Sequence, residues 1–232
     1  MSGAKNCPET PRQRMIGMMY LVLTAMLALN VSSEILNGFG LVDSSLRNTI
    51  ASSDVRSRDM YQDFQIMYEK NPAKVKEWLD KATEGQKKSN ELDSFIKNFK
   101  YEILKISDGK KADKEAINII NKENIDAPGE YALTKGNGRK LREKIDEYRE
   151  FLITATAGNE AKQDMYRTMF ETGDRKWETR LFESMPVSAA ITILTKYQSD
   201  IRSAEAETVQ YLKSMTDFDD FRVNKVQAFV VP

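Results

Sequence analysis

Residues Met15 to Ser33, MIGMMYLVLTAMLALNVSS, carry no charged side chain. An apolar run of this length has no wet face to turn toward solvent, which limits it to a buried helix or a membrane span. As a helix it would extend about 28 Å, close to the roughly 30 Å of a bilayer's hydrocarbon core. A helix start precedes it. Thr10 can cap, Pro11 suits the first helical position, and Gln13 completes a Thr-x-x-Gln capping box.

Lys5, Arg12 and Arg14 lie before the run, opposed only by Glu9. That imbalance places the short N-terminus in the cytoplasm and everything after the span outside, which in a Gram-negative cell is the periplasm. The rival is a cleaved signal peptide with Val31-Ser32-Ser33 at the cleavage site. The run exceeds the usual apolar core of such a signal, and helical pattern continues beyond it, so the sequence favours an uncleaved anchor.

Within the span, Arg12 and Asn30 are 18 residues apart and share one helix face with the Met-rich stripe of Met15, Ile16, Met19, Leu23 and Met26. Tyr20 and Thr24 form a small polar track beside it. Polar groups in a span usually face protein rather than lipid. The plainer reading has Thr24 bonding back to its own helix. Gly38 and Gly40 follow just outside the span, either as bend points or as sites of close helix packing.

The rest of the chain reads as helix. Apolar residues keep a helical period from Ile35 to Lys70, where Asn71-Pro72 ends it. A second helix fits Pro72 to about Ile106. Residues 110–138 look irregular, with a short helix expected around Lys114–Asn121. A third helix starts near Arg139 and is expected to continue past Gly158 to Glu171. A short one covers Trp177–Met185, and Pro186 starts the last. The expected fold is all-α: one N-terminal transmembrane helix, then a periplasmic up-and-down bundle of four long helices. From Phe221 the pattern changes to Val223, Val226, Ala228, Val230 and Val231, the expected start of a β-rich domain. The reading divides the chain into a cytoplasmic tail (1–10), a span (11–33), a helical bundle (34–218), and a linker with the first strand of a further domain (219–232). It expects the chain to be a piece of a longer protein. Asp217, Asp219 and Asp220 read as a solvated hinge rather than a cation site.

Composition narrows the chemistry. Lys plus Arg and Asp plus Glu are equal at 35 each, so nothing points to nucleic acid. The chain has no histidine and one cysteine, Cys7. Histidine-based triads and histidine-containing zinc sites are therefore excluded. No nucleophile–base pair stands out. The expectation is a protein that is not an enzyme and needs no cofactor or metal. A sensor would need a second span, and no later run is long or apolar enough for one.

The segments PRQRMIGMMYLVLTAMLALNVSSEILNGF, WETRLFESMPVSAAITILTKYQSDIRSAE and QAFVVP resemble the GldM/PorM family, whose members serve type IX secretion and gliding motility. The resemblance spans the whole chain. It implies an inner-membrane, single-pass motor subunit driven by the proton motive force. Two copies would pass their helices through a pentameric GldL/PorL-type ring protein. The periplasmic arm would reach periplasmic and outer-membrane components through further β-rich domains. In the family the arginine of the PRQ motif, here Arg12, pairs with a membrane glutamate of the ring protein, and the tyrosine of MMYLV corresponds to Tyr20. Arg14 stands where the family often has lysine. The residues add one constraint of their own. Between Met15 and Ser33 the only ionisable side chain is the phenol of Tyr20, a poor proton carrier, so a partner would have to supply the carboxylate. One proton crossing 100 mV releases about 2.3 kcal/mol, comparable to one charged hydrogen bond. The alternative is a passive membrane-anchored periplasmic scaffold or a sensor-type helical bundle.

Overall fold

The computed structural model describes residues 10–173 and 176–223, with the side chains of 27–33 and 217–223 outside that description. The order of elements is α1 (Pro11–Lys70), α2 (Pro72–Asp108), a 3-10 turn (Gly109–Lys111), α3 (Asp126–Gly129), a π-helical turn (Glu130–Thr134), α4 (Asn137–Ala155), α5 (Glu160–Met169), α6 (Trp177–Phe182) and α7 (Val187–Val223). Among the described residues there is no strand.

Local chemistry sets the long boundaries. Thr10 forms the capping box with Gln13, and Pro11 opens α1. At the other end Asn71 is extended before Pro72, its N–H bonding the Met67 carbonyl at 3.1 Å, and Pro72 opens α2 at once. Gly109, at φ +61°, ends α2.

α1 and α7 lie side by side and run parallel. The Thr192 hydroxyl donates to the Phe39 carbonyl at 3.2 Å, Arg202 pairs with Asp54 at 3.2 Å, and Lys213 pairs with Asp63 at 2.6 Å. Both residue numbers climb together. α2 runs against both, with Ser89 beside Glu205 and Lys100 beside Thr195. The first and last helices of an up-and-down four-helix bundle would be antiparallel, so that expectation is corrected. The extra pass comes from a break in the third helix. Thr156 to Asn159 leave helical geometry, Gly158 sits at φ +92°, and the Asn159 side chain caps α5 by accepting from Lys162 N at 3.1 Å. α5 then turns back along α4, with Gln163 donating to the Ile153 carbonyl and Arg149 to that of Phe170.

Two further expectations are corrected. Residues 114–121 form an ordered loop, not a helix. The Asp113 carboxylate accepts from the N–H groups of Glu115, Ile117 and Asn118, which a helix would use for its own ladder, and Ala116 sits at φ +53°. Phe221 to Val223 continue α7 instead of opening a strand, and the Asp217–Asp220 backbone is helical too. Residues 224–232, where the rest of the β-domain reading falls, lie outside the described residues.

The main core joins α2, α4, α6 and α7. Fully buried Phe99 meets Tyr131 edge-on at 4.8 Å and Phe182 at 5.5 Å. A second cluster, with Phe64, Val75, Ala82, Val209 and Leu212, closes the far end where α1 turns into α2.

Candidate functional site

The sequence points first to the start of α1. There Thr10 N–H donates to Gln13 Oε1 at 3.1 Å and Gln13 N–H to the Thr10 hydroxyl at 3.4 Å. Arg12 and Arg14 fall in a first turn with no acid. From Thr10 to Met26 every residue is exposed, including Met15, Met19, Leu21 and Leu23, so this part of α1 stands clear of the bundle, and from Met15 onward it carries no charge on any face. Among the described residues no helix is long and apolar enough to cross a membrane. The apolar run continues through residues 27–33, whose side chains are not described.

The predicted residues separate. Arg12, Tyr20 and Thr24 share this exposed segment. The Thr24 hydroxyl donates to the Tyr20 carbonyl at 2.7 Å, the local bond that makes a threonine tolerable in an apolar helix. The Asn30 side chain and the whole of Lys5 and Cys7 lie outside the described residues. Helix α1 runs unbroken through Gly38 and Gly40, and a Cβ on either would meet nothing within 4 Å. Packing inside this chain therefore does not require glycine at either position.

A second constellation escaped sequence reading: a buried polar ladder where α1, α2 and α7 meet. Lys100 Nζ, on a residue only 3% exposed, donates to the Thr195 hydroxyl at 2.8 Å and to Gln198 Oε1 at 2.7 Å. Gln198 donates to Asp93 Oδ1 at 2.7 Å, and Arg202 reaches the other Asp93 oxygen at 3.2 Å. Glu205 accepts from Ser89 at 2.5 Å and from Arg202 at 3.0 Å. Toward α1, Asp43 accepts from Thr195 and pairs with Arg47 at 2.6 Å. Arg47 in turn donates to the carbonyls of Glu115 and Ala116, clamping loop 112–125 onto α1. Burial, reinforced by the Arg47 charge, pushes the Lys100 pKa down to about 7. Burial holds the Tyr61 and Tyr148 phenols above their ordinary value, with Glu205 adding to both. The available signal was a run of polar residues at helical spacing on α7: Thr192, Thr195, Gln198, Arg202 and Glu205.

The ladder ties α1, α2 and α7 together through hydrogen bonds and ion pairs. Among the described residues no group of acids or cysteine is placed to hold a metal ion. The sequence model of the GldM N-terminal domain matches residues 34–215. The chain belongs to the GldM family. The matched segment begins where α1 enters the bundle, just before buried Leu36, and ends near the foot of the second core cluster at Met215. GldM-family proteins are membrane-associated components of the gliding motility and type IX secretion apparatus. No curated protein gives a significant match to this GldM-family chain.

Proposed function

We propose that this chain is a non-enzymatic, single-pass subunit of a proton-driven inner-membrane motor for type IX secretion and gliding. In this reading residues 11–33 of α1 span the membrane, the N-terminus is cytoplasmic, and the bundle is the first periplasmic part of the arm. Two copies stand in a pentameric ring of a polytopic partner. A ring carboxylate, held by Arg12, takes up and releases the protons.

The supporting observation is the continuity of α1. One helix of 60 residues, about 90 Å long, runs from the exposed apolar segment to the far end of the bundle. It is cross-linked to α7 at several levels, through Asp43, Asp54 and Asp63. Rotation of the membrane end would turn the bundle with little slack. The scaffold reading draws on the Thr24–Tyr20 bond, which leaves that polar track satisfied without a partner.

The test is affinity purification of the full chain from detergent-solubilised membranes, with chains counted by native mass spectrometry. Two copies with a ring of five polytopic subunits are expected. Recovery of the chain alone, or with no polytopic subunit, overturns the motor reading.

A further inference from the structure

Lys100 holds a singular place in the ladder. Its Nζ meets the Thr195 hydroxyl and Gln198 Oε1, and both of these partners are neutral. Among the described residues it touches no carboxylate. Asp43 is reached only through Thr195 and Asp93 only through Gln198. Each of these acids is already paired, Asp43 with Arg47, and Asp93 with Arg202 and Lys97. A neutral amine has two N–H groups and finds two acceptors here. An ammonium has a third N–H, and the described residues offer it no acceptor.

The charges that face Lys100 come from α1, which presents Asp43 and Arg47, and from α2 itself, which presents Asp93 and Lys97. α7 contributes the two neutral acceptors, with Arg202 behind Asp93. Burial does most to weaken proton binding at Lys100, and the Arg47 charge comes next. Lys97 adds to them, while Asp43 and Asp93 oppose. Such coupling is reciprocal. Arg47 in its seat disfavours a proton on Lys100, so a proton on Lys100 disfavours Arg47 in its seat by the same factor.

In that seat Arg47 holds loop 112–125. Its guanidinium donates to the Glu115 carbonyl at 3.1 Å and to the Ala116 carbonyl at 2.9 Å. Ala116 stands at φ +53°, a left-handed conformation that disfavours any residue with a Cβ, and its side chain is buried in the main core. Strain of this kind persists only where the surroundings enforce it, and it gathers at switch regions. Among the described residues the loop's other side-chain bond to α1 runs from Lys122 Nζ to Asn37 Oδ1 at 3.4 Å, near the far end of the loop.

We propose that Lys100 is a proton-operated release for this loop: a proton on Lys100 drives Arg47 off the Glu115 and Ala116 carbonyls, and loss of that proton lets Arg47 return. Thr195 accommodates the change, because its hydroxyl has a second acceptor in the Ile191 carbonyl at 2.9 Å and can let Asp43 go. Ala116 then leaves the left-handed region and the segment 114–121 loosens from α1. The folded Lys100 pKa of about 7 sets the release near neutral pH, with the loop held above it and freed below. The device needs no membrane and no partner, so it stands apart from the motor reading.

The test follows amide hydrogen exchange of the full chain in detergent micelles at about pH 6 and about pH 8.5, on either side of the Lys100 midpoint, with protection corrected for the intrinsic rate and α4 as the reference. The Asn118 and Glu115 N–H groups hold the Asp113 carboxyl below its ordinary value, so Asp113 stays ionised at both. The amides of Ile117 and Asn118 should lose protection about fivefold or more at the lower pH, the small end of ordinary coupling. Lys100→Met should keep the loop protected at both. Arg47→Gln should leave it exposed at both and raise the pH at which Lys100 titrates, followed by the Cε resonance of isotope-labelled lysine. Equal protection of Ile117 and Asn118 at the two pH values overturns the proposal. An equal loss in Lys100→Met places the titrating group elsewhere and overturns it too. A Lys100 midpoint unmoved by Arg47→Gln does the same, and that measurement holds even where Lys100→Met fails to fold.

Discussion

The Thr195 hydroxyl of α7 donates to the Asp43 carboxylate of α1 across 152 residues of sequence. Asp43 also faces Arg47, and Thr195 also accepts from Lys100, so this one bond joins a cation on α1 to a cation on α2. Removing the carboxylate leaves the Arg47 guanidinium without its acid and the Thr195 hydroxyl without its acceptor on α1. Asp43→Ala should destabilise the fold by about 2 kcal/mol, in the range for a lost charged hydrogen bond in a mostly buried setting. Denaturant unfolding of the detergent-solubilised chain checks this. A midpoint equal to that of the unsubstituted protein would remove Asp43 from any structural role.

Lys100 makes stability depend on pH. Its folded pKa, about 7, lies below the ordinary lysine value of 10.5. Between those values the unfolded chain binds the extra proton, so stability rises with pH, and below about pH 7 the full burial penalty is present. From pH 7 to pH 9 the gain should be on the order of 2 kcal/mol. Lys100→Met should flatten that slope. Parallel slopes in the two proteins would show that Lys100 does not titrate in this window.

The sequence announces those boundaries that are made locally. Pro11, Asn71-Pro72 and Pro186 act through their own rings and their immediate neighbours, and helices begin or end at each of them. The break at Thr156–Asn159 was missed because the residues around it, Ile153 to Tyr166, keep a helical apolar period on both sides. The irregular course after Lys111 is legible, but the short helix at Lys114–Asn121 does not form, because the competing carboxylates of Asp108 and Asp113 act through tertiary placement that helix propensity does not show. The ladder joins residues about a hundred positions apart, such as Lys100 and Thr195, and no short pattern exposes such a pair. At the start of α1 the residues were legible and their partners were not, since those would lie on another chain.

Phe99 tests the packing of the main core. It is fully buried between Tyr131 and Phe182. Phe99→Ala should cost about 3–5 kcal/mol and lower the thermal midpoint followed by circular dichroism. A loss below about 1 kcal/mol would mean that the site collapses around the cavity and that this core is loosely packed.

The anchor reading predicts that α1 reaches the membrane intact. N-terminal sequencing of the membrane-extracted protein should find residues preceding Thr10. A mature start near Glu34 would show that the apolar run is removed.

Arg12 carries the central claim. It occupies the first turn of α1, where the helix dipole disfavours a cation, and it shares a face with Met19 and Leu23. If it served only topology, lysine would replace it without loss. A forked pair with a ring carboxylate is poorly reproduced by lysine. The decisive measurement is secretion and gliding in cells carrying Arg12→Ala or Arg12→Lys, with the level and assembly of the complex followed in the same cells. The account predicts assembled complexes that neither secrete nor glide, and near-normal behaviour for Arg14→Lys. Normal motility with Arg12→Ala at normal protein level would contradict it.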